Sequence, residues 1–169
     1  MRKTDAAFGS AVFFAVAPGI VACLIPWWLT GWRMAPAWFP LRLAGALLTV
    51  AGAAFLLSAF ARFVSEGRGT PAPVAPTEHL VVGGIYRYVR NPMYLSVLAA
   101  ILGQALLFGQ PVLIGYAAVV GLAVVSFVLL YEEPTLLKRY GAEYETYRQA
   151  VPGWLPRLTP WAGSGMSQK

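Results

Sequence analysis

The sequence predicts an all-α fold, a polytopic membrane bundle of about four transmembrane helices. Three observations predict it. The 169-residue chain is 58% hydrophobic and only 12% charged, about half the charged share of an ordinary soluble domain. The charges are segregated, with no Asp, Glu, Lys, Arg or His from Ala6 to Trp32, from Leu43 to Ala61 or from Asn91 to Tyr131. Uncharged apolar runs of about 18 residues or more are long enough to span a bilayer. Finally, Lys and Arg fall almost entirely on one side of the spans so defined, the asymmetry expected of cytoplasmic loops.

The elements follow in order. A first span covers about Phe8–Thr30, and its length, Pro18 and Pro26 argue against a cleaved signal peptide. A second covers Leu43–Arg62. The stretch "EGRGTPAPVAP", Glu66–Pro76, is rich in Pro and Gly and reads as an extended loop. A short β-prone run, "EHLVVGG", leads from it into "IYRYVRNPMY". The long third uncharged stretch holds two helices, Met93–Phe108 and Val112–Tyr131, folded into a hairpin at Gly109-Gln110-Pro111. Beyond Tyr131, Pro134 marks a helix end or first turn and Gly141 a helix stop. Tyr144, Tyr147 and Val151 share one face of an amphipathic segment, which would lie along the membrane surface. The chain is thus one domain, 1–169: two N-terminal spans (1–65), a loop (66–92), a hairpin (93–131) and an amphipathic tail (132–169).

With four spans both termini share a side. That side carries Arg2 and Lys3, then Arg62, Arg68, Arg87 and Arg90, then Lys138, Arg139, Arg148, Arg157 and Lys169, against Arg33 and Arg42 on the other. Termini, middle loop and tail are therefore expected in the cytosol. Trp27, Trp28, Trp32 and Trp38 gather at the opposite interface as an aromatic belt. The net charge of +6 is accounted for by basic loops beside anionic lipid, so membrane lipids are expected partners and nucleic acid is not. Cys23 is the sole cysteine and His79 the sole histidine, which argues against a metal site. Nothing in the sequence sets the oligomeric state.

The polar residues concentrate in two places. Asn91-Pro92 has the form of an N-cap followed by Pro at the first helical position. A helix start exposes backbone N–H groups and a partial positive charge, a ready site for an anion, with Arg90 and Arg87 beside it. Glu132-Glu133 ends the hairpin, either as a simple interfacial stop paired with Arg90 or Arg139, or as a functional pair. Folding the hairpin brings Asn91 next to Glu132, with Tyr86, Tyr88 and Tyr94 close by and Tyr140, Tyr144 and Tyr147 also available. A cationic helix tip facing a carboxylate suits a ligand with a carboxylate, an ammonium and a second cation. S-adenosylmethionine is one such ligand; NADPH and a lipid phosphate use similar charges. His79 is either a surface loop residue or a general base.

The segments "HLVVGGIYRYVRNPMY" and "EEPTLLKRYGAEYETYRQAVPGWLP" resemble the isoprenylcysteine carboxyl methyltransferase family, a relation of the phospholipid N-methyltransferases. The resemblance covers about 78–156. It implies an integral-membrane enzyme using S-adenosylmethionine and releasing S-adenosylhomocysteine. Its cofactor pocket would be cytosolic, formed by the middle loop, the C-terminal hairpin and the tail. Cofactor contacts would come from Glu78, His79, Leu80, Val81, Tyr86, Arg90, Asn91, Pro92, Met93, Tyr94 and Glu132, with Asn91, Tyr94 and Glu132 closest to the chemistry. The chain departs from the eukaryotic pattern in having Asn91 for a His, and Val128 for a substrate-contacting Arg one turn before Glu132. Its short length resembles bacterial members, which implies a bacterial inner membrane.

The implied reaction is an in-line methyl transfer to a lipophilic small-molecule acceptor from the bilayer, a carboxylate or amine of a prenyl- or phospholipid-like molecule. The protein need supply no nucleophile, only positioning and exclusion of water. Two other readings stand beside this one: an NADPH-dependent membrane reductase related to sterol reductases, and a non-enzymatic lipid-binding or scaffold protein.

Overall fold

The computed structural model describes residues 16–67 and 79–163. Every regular element among them is helical. Helix α1 is Val16–Thr30, α2 is Phe39–Gly67, α3 is Pro92–Phe108, α4 is Val112–Tyr140 and α5 is Ala142–Ala150. A 3-10 turn, Gly84–Arg87, lies between α2 and α3. The β-prone run before it forms no strand over its described part, and the described residues offer no neighbouring strand to pair with it.

Two helical stretches, Phe39–Arg62 and Val112–Tyr140, are long and apolar enough to cross a membrane. Only 22% and 17% of their most apolar windows is buried, so they are not the core helices of a soluble domain. The described part of α1 and all of α3 are apolar but shorter. Helix α4 continues well past the expected end at Tyr131, and α2 begins before the expected Leu43. Large apolar side chains such as Leu47, Val50, Val119, Leu122 and Leu130 point outward, as a lipid-facing surface requires.

The hairpin turn forms where the sequence places it. Helix α3 stops because Gly109 adopts φ 66°, in the left-handed region, where glycine alone is unstrained. A side chain there would also press within 3.0 Å of the Ala35 carbonyl and the Ala37 methyl. Helix α2 packs most extensively on α3, through a seam of small residues. A Cβ on Gly45 would meet the Gly103 carbonyl at 2.6 Å, and one on Gly52 the Ser96 carbonyl at 2.8 Å. Small residues spaced this way let helix backbones approach in an apolar medium, where dispersion replaces the hydrophobic effect as the driving force. One core cluster then joins four helices: Ala22 from α1, Leu56 from α2, Val97, Ile101 and Ala105 from α3, and Leu113 and Ala117 from α4.

Two five-residue π-helical segments interrupt the α-helices, Ile20–Leu24 in α1 and Val128–Glu132 in α4. Each ends two residues before a proline, Pro26 and Pro134. A proline cannot donate to the carbonyl four residues back, so the backbone pattern there must change. In α1 the Ile25 N–H bonds to the Ile20 carbonyl instead, which frees the carbonyl of Val21. Tyr116 donates its hydroxyl to Val21 at 2.9 Å, and Gln104 Nε2 donates to the Ala22 carbonyl at 2.7 Å. Gln104 Oε1 accepts in turn from Trp32 Nε1 at 3.1 Å.

Candidate active site

Four pieces of chain converge where the two ends of the hairpin meet: the loop before α3, the first turn of α3, the π segment of α4, and α5 with the segment after it. The ends are in direct contact. Tyr94, in the first turn of α3, donates its hydroxyl to Glu132 Oε2 at 2.9 Å. The π segment makes this pairing compatible with a second one beside it. Glu133 takes Arg90 Nη1 at 2.7 Å, so two consecutive acids both reach partners at the start of α3. π segments of this kind recur at functional sites.

Arg90 is a junction. Its Nη1 also donates to the Tyr144 hydroxyl at 3.0 Å, and its Nε donates to the Val151 carbonyl at 2.9 Å. A largely buried ion pair is costly to break from one side, about 3–5 kcal/mol, so Arg90 holds α4, α5 and the loop together. Arg148 approaches Glu133 at 3.8 Å and pairs more closely with Glu145 at 3.1 Å. The Glu145 carboxyl lies below the usual range because Arg148 donates to it.

The segment after α5 runs alongside the pre-hairpin loop. Arg90 N–H donates to the Pro152 carbonyl, Asn91 N–H to Gly153, Arg157 N–H to Tyr88 and Trp161 N–H to Arg87. Arg87 Nε returns a bond to the Trp161 carbonyl. Gly153 makes the close approach possible, since a Cβ there would sit 3.2 Å from Arg90 Nη2 and 3.5 Å from Asn91 Nδ2. The tyrosine face of α5 is covered by protein. Tyr144, Tyr147 and Val151 are each no more than 3% exposed and pack with Leu80, Val82 and Trp161, and Tyr147 donates to the Tyr86 carbonyl at 2.7 Å. That face therefore does not rest on the membrane surface, because the loop side chains bury it first. Burial pushes the Tyr144 and Tyr147 phenols above the ordinary tyrosine range, with Arg90 opposing the shift.

Asn91 occupies the expected N-cap position, but its side chain makes no capping hydrogen bond. It is 8% exposed, and its Nδ2 is a buried donor without a partner. The N–H groups of Met93 and Tyr94, in the same helix turn, also find no protein acceptor among the described residues. Pro92 takes the first helical position and is buried. Val81 and Tyr86 form a buried cluster with Ala59, against which Met93 packs. Leu80 packs on the α5 tyrosines, and His79 is exposed. Glu78 lies outside the described residues. Val128, in the π segment one turn before Glu132, is 1% exposed.

The model of the family described as phospholipid methyltransferase matches residues 41–143, well over half of the chain. The chain belongs to the phospholipid methyltransferase family. The match runs from the start of α2 through the first residues of α5, so it includes Arg90 to Tyr94 and both acids of the π segment. The chain is also similar to the protein-S-isoprenylcysteine O-methyltransferase of Schizosaccharomyces pombe, 32% identical over 79 residues, or 47% of this chain and 34% of the relative. The matched region thus spans about a third of that relative's length. In this member of the phospholipid methyltransferase family, the structure gives Glu133 to Arg90, one of the two pairings open to the acids, and makes Tyr144, one of the available tyrosines, its second acceptor; Gly153 against Asn91 was not expected. The adjacent acids and the Val-Pro-Gly run signalled them, but a hairpin pattern alone does not say which acid faces which arginine.

Proposed function

We propose that the chain is an integral-membrane methyltransferase that uses S-adenosylmethionine and acts on a lipophilic acceptor drawn from the bilayer. The observation that carries this reading is the buried, unpartnered Nδ2 of Asn91, at the N-cap position of the helix whose Tyr94 holds Glu132 at the joined ends of the hairpin. A buried donor without a partner costs about 1–3 kcal/mol, a cost a ligand acceptor would remove. Together with the open N–H groups of the α3 first turn, Asn91 suits a carboxylate. Glu132 suits an ammonium or a ribose hydroxyl. This donor and acceptor set fits the amino-acid end of S-adenosylmethionine, which supplies a methyl group on a sulfonium that leaves readily.

The protein's own part is positioning and exclusion of water, an effect worth up to about 7–11 kcal/mol. Tyr94 holds the Glu132 carboxylate in place, and Arg90 fixes the loop, α4 and α5 relative to one another. Val128 bears on the acceptor. It puts a buried apolar group where a cation would be needed to bind a carboxylate acceptor, which favours an amine-bearing lipid. Such an acceptor must lose a proton; Glu133 is held by Arg90, which leaves the exposed His79 or solvent to take it. In this reading all four apolar helices cross the membrane, with the site and both termini in the cytosol of a bacterial cell.

The test is calorimetric titration of the purified protein with S-adenosylhomocysteine and, in parallel, NADPH. Binding of the first alone is expected, followed by transfer of labelled methyl groups into a membrane lipid extract. Binding of NADPH alone, or of neither ligand, overturns the reading.

A further inference from the structure

At the end of the bundle remote from Glu132, a cavity of about 340 Å³ is lined by Trp27, Trp28, Leu29, Thr30, Gly31 and Arg33. The length of α3 separates the two ends, about 25 Å for its 17 residues. The cavity is built by a chain reversal. Gly31 ends α1 with φ 56°, and Trp32 follows with φ 52°, a left-handed conformation that a bulky residue rarely adopts. Trp32 is held there by its bond to Gln104 and by stacking on Phe108 at 6.2 Å.

The polar groups around this cavity are of two kinds. The exposed Arg33 meets no carboxylate and donates no side-chain hydrogen bond among the described residues. Arg42, the other cation of this end, is committed to the Ala35 carbonyl at 2.7 Å. The carbonyls of Trp28 and Leu29 are also open among the described residues. The donors that would continue the helix turn away, Trp32 N–H to the Thr30 hydroxyl and Arg33 N–H to the Thr30 carbonyl. Trp27 and Trp28 are 50% and 76% exposed, the amphipathic rings that settle at headgroup depth.

We infer that this cavity holds the headgroup of a membrane phospholipid in the leaflet opposite the proposed active site. The phosphodiester would sit on Arg33, and a headgroup N–H or O–H would sit on the open carbonyls. The charge pattern decides between occupants: a lining that carries both an uncommitted cation and residues with bare acceptors matches an anionic phosphate that carries a donor. A purely apolar guest would leave both unmet. The site is independent of methyl transfer, so its failure leaves that reading untouched.

The experiment is native mass spectrometry of the detergent-purified protein supplied with phosphatidylethanolamine, phosphatidylcholine or inorganic phosphate. Wild type is expected to retain phosphatidylethanolamine best, since the choline headgroup lacks an N–H. Arg33→Gln is expected to lower retention about tenfold, the loss of one charge-assisted hydrogen bond, and Arg33→Lys to restore part of it. A second measurement needs no variant. Phosphatidylethanolamine should shield Arg33 from phenylglyoxal while leaving the already engaged Arg42 unaffected. Equal retention by wild type and Arg33→Gln overturns the site, as does no shielding of Arg33. Inorganic phosphate displacing the lipid as well as a second phospholipid does also overturns it, because the cavity would then be an ion site.

Discussion

The two π segments answer the same backbone problem in opposite ways. In α1 the carbonyls disturbed near Pro26, those of Val21 and Ala22, are met by Tyr116 and Gln104, so both find protein partners. In α4 the segment before Pro134 delivers Glu132 and Glu133 to the start of α3, and there the account does not close: Asn91 Nδ2 stays buried without a partner. A satisfied polar network in an apolar medium fixes geometry. Under the function proposed above, the unsatisfied donor at the other end is where a ligand acceptor would complete the network, so the two regions would differ as a structural and a binding use of the motif.

The comparison breaks most readily at Glu132. Glu132→Gln keeps the shape and the Tyr94 contact but removes the charge; we expect affinity for S-adenosylhomocysteine to fall about a hundredfold or more, with the thermal midpoint little changed. Calorimetry and thermal melting of one sample check both halves. Next come two substitutions that should behave as opposites. Gln104→Leu strands the Ala22 carbonyl and the Trp32 indole, costing about 1–2 kcal/mol of stability and leaving cofactor affinity unchanged. Asn91→Leu removes an orphan donor, so stability should hold or rise while affinity falls about tenfold. If Asn91→Leu destabilises as much as Gln104→Leu, the distinction between the two regions fails. A smaller effect sharpens the α1 half. Pro26→Ala returns an N–H to the Ala22 carbonyl, so in that background Gln104→Leu should cost less, by a few tenths to about 1 kcal/mol in a double-mutant cycle.

What the sequence disclosed follows the same division. The hairpin turn was legible because Gly109 and Pro111 interrupt an uncharged run twice the length of a span. The meeting of the start of α3 with Glu132, through Tyr94, follows from that turn by geometry alone. The small-residue seam was not legible, since Gly45, Gly52, Ser96 and Gly103 carry little hydropathy signal and matter only once the backbones approach. Nor were the π segments: a proline announces a missing N–H, but whether a helix kinks, ends or widens depends on donors as remote as Gln104. The apolar face of α5 was visible as a pattern. Periodicity reports that such a face must be covered, and the covering residues, Leu80, Val82 and Trp161, come from elsewhere in the chain. Arg90 shows the same limit, since it read as a loop cation beside a helix start, and its commitment to Glu133, Tyr144 and Val151 rests on pairings 43 to 61 residues apart.

The docking of α5 gives the smallest expected effect and follows from the tyrosines. The Tyr147 phenol is buried, hydrogen-bonded to the Tyr86 carbonyl and pushed upward by desolvation. A raised phenol favours the folded state only while it is neutral. Its contribution is therefore fully present below the ordinary tyrosine value of about 10 and is lost as the pH climbs from there through the folded value. Tyr147→Phe forfeits the bond to Tyr86, about 1 kcal/mol, but cannot ionise. Wild type should melt above Tyr147→Phe at pH 8, and the gap should close or invert by pH 11. A gap that stays constant across that range would mean that α5 releases Tyr147 to solvent before the helices of the hairpin melt.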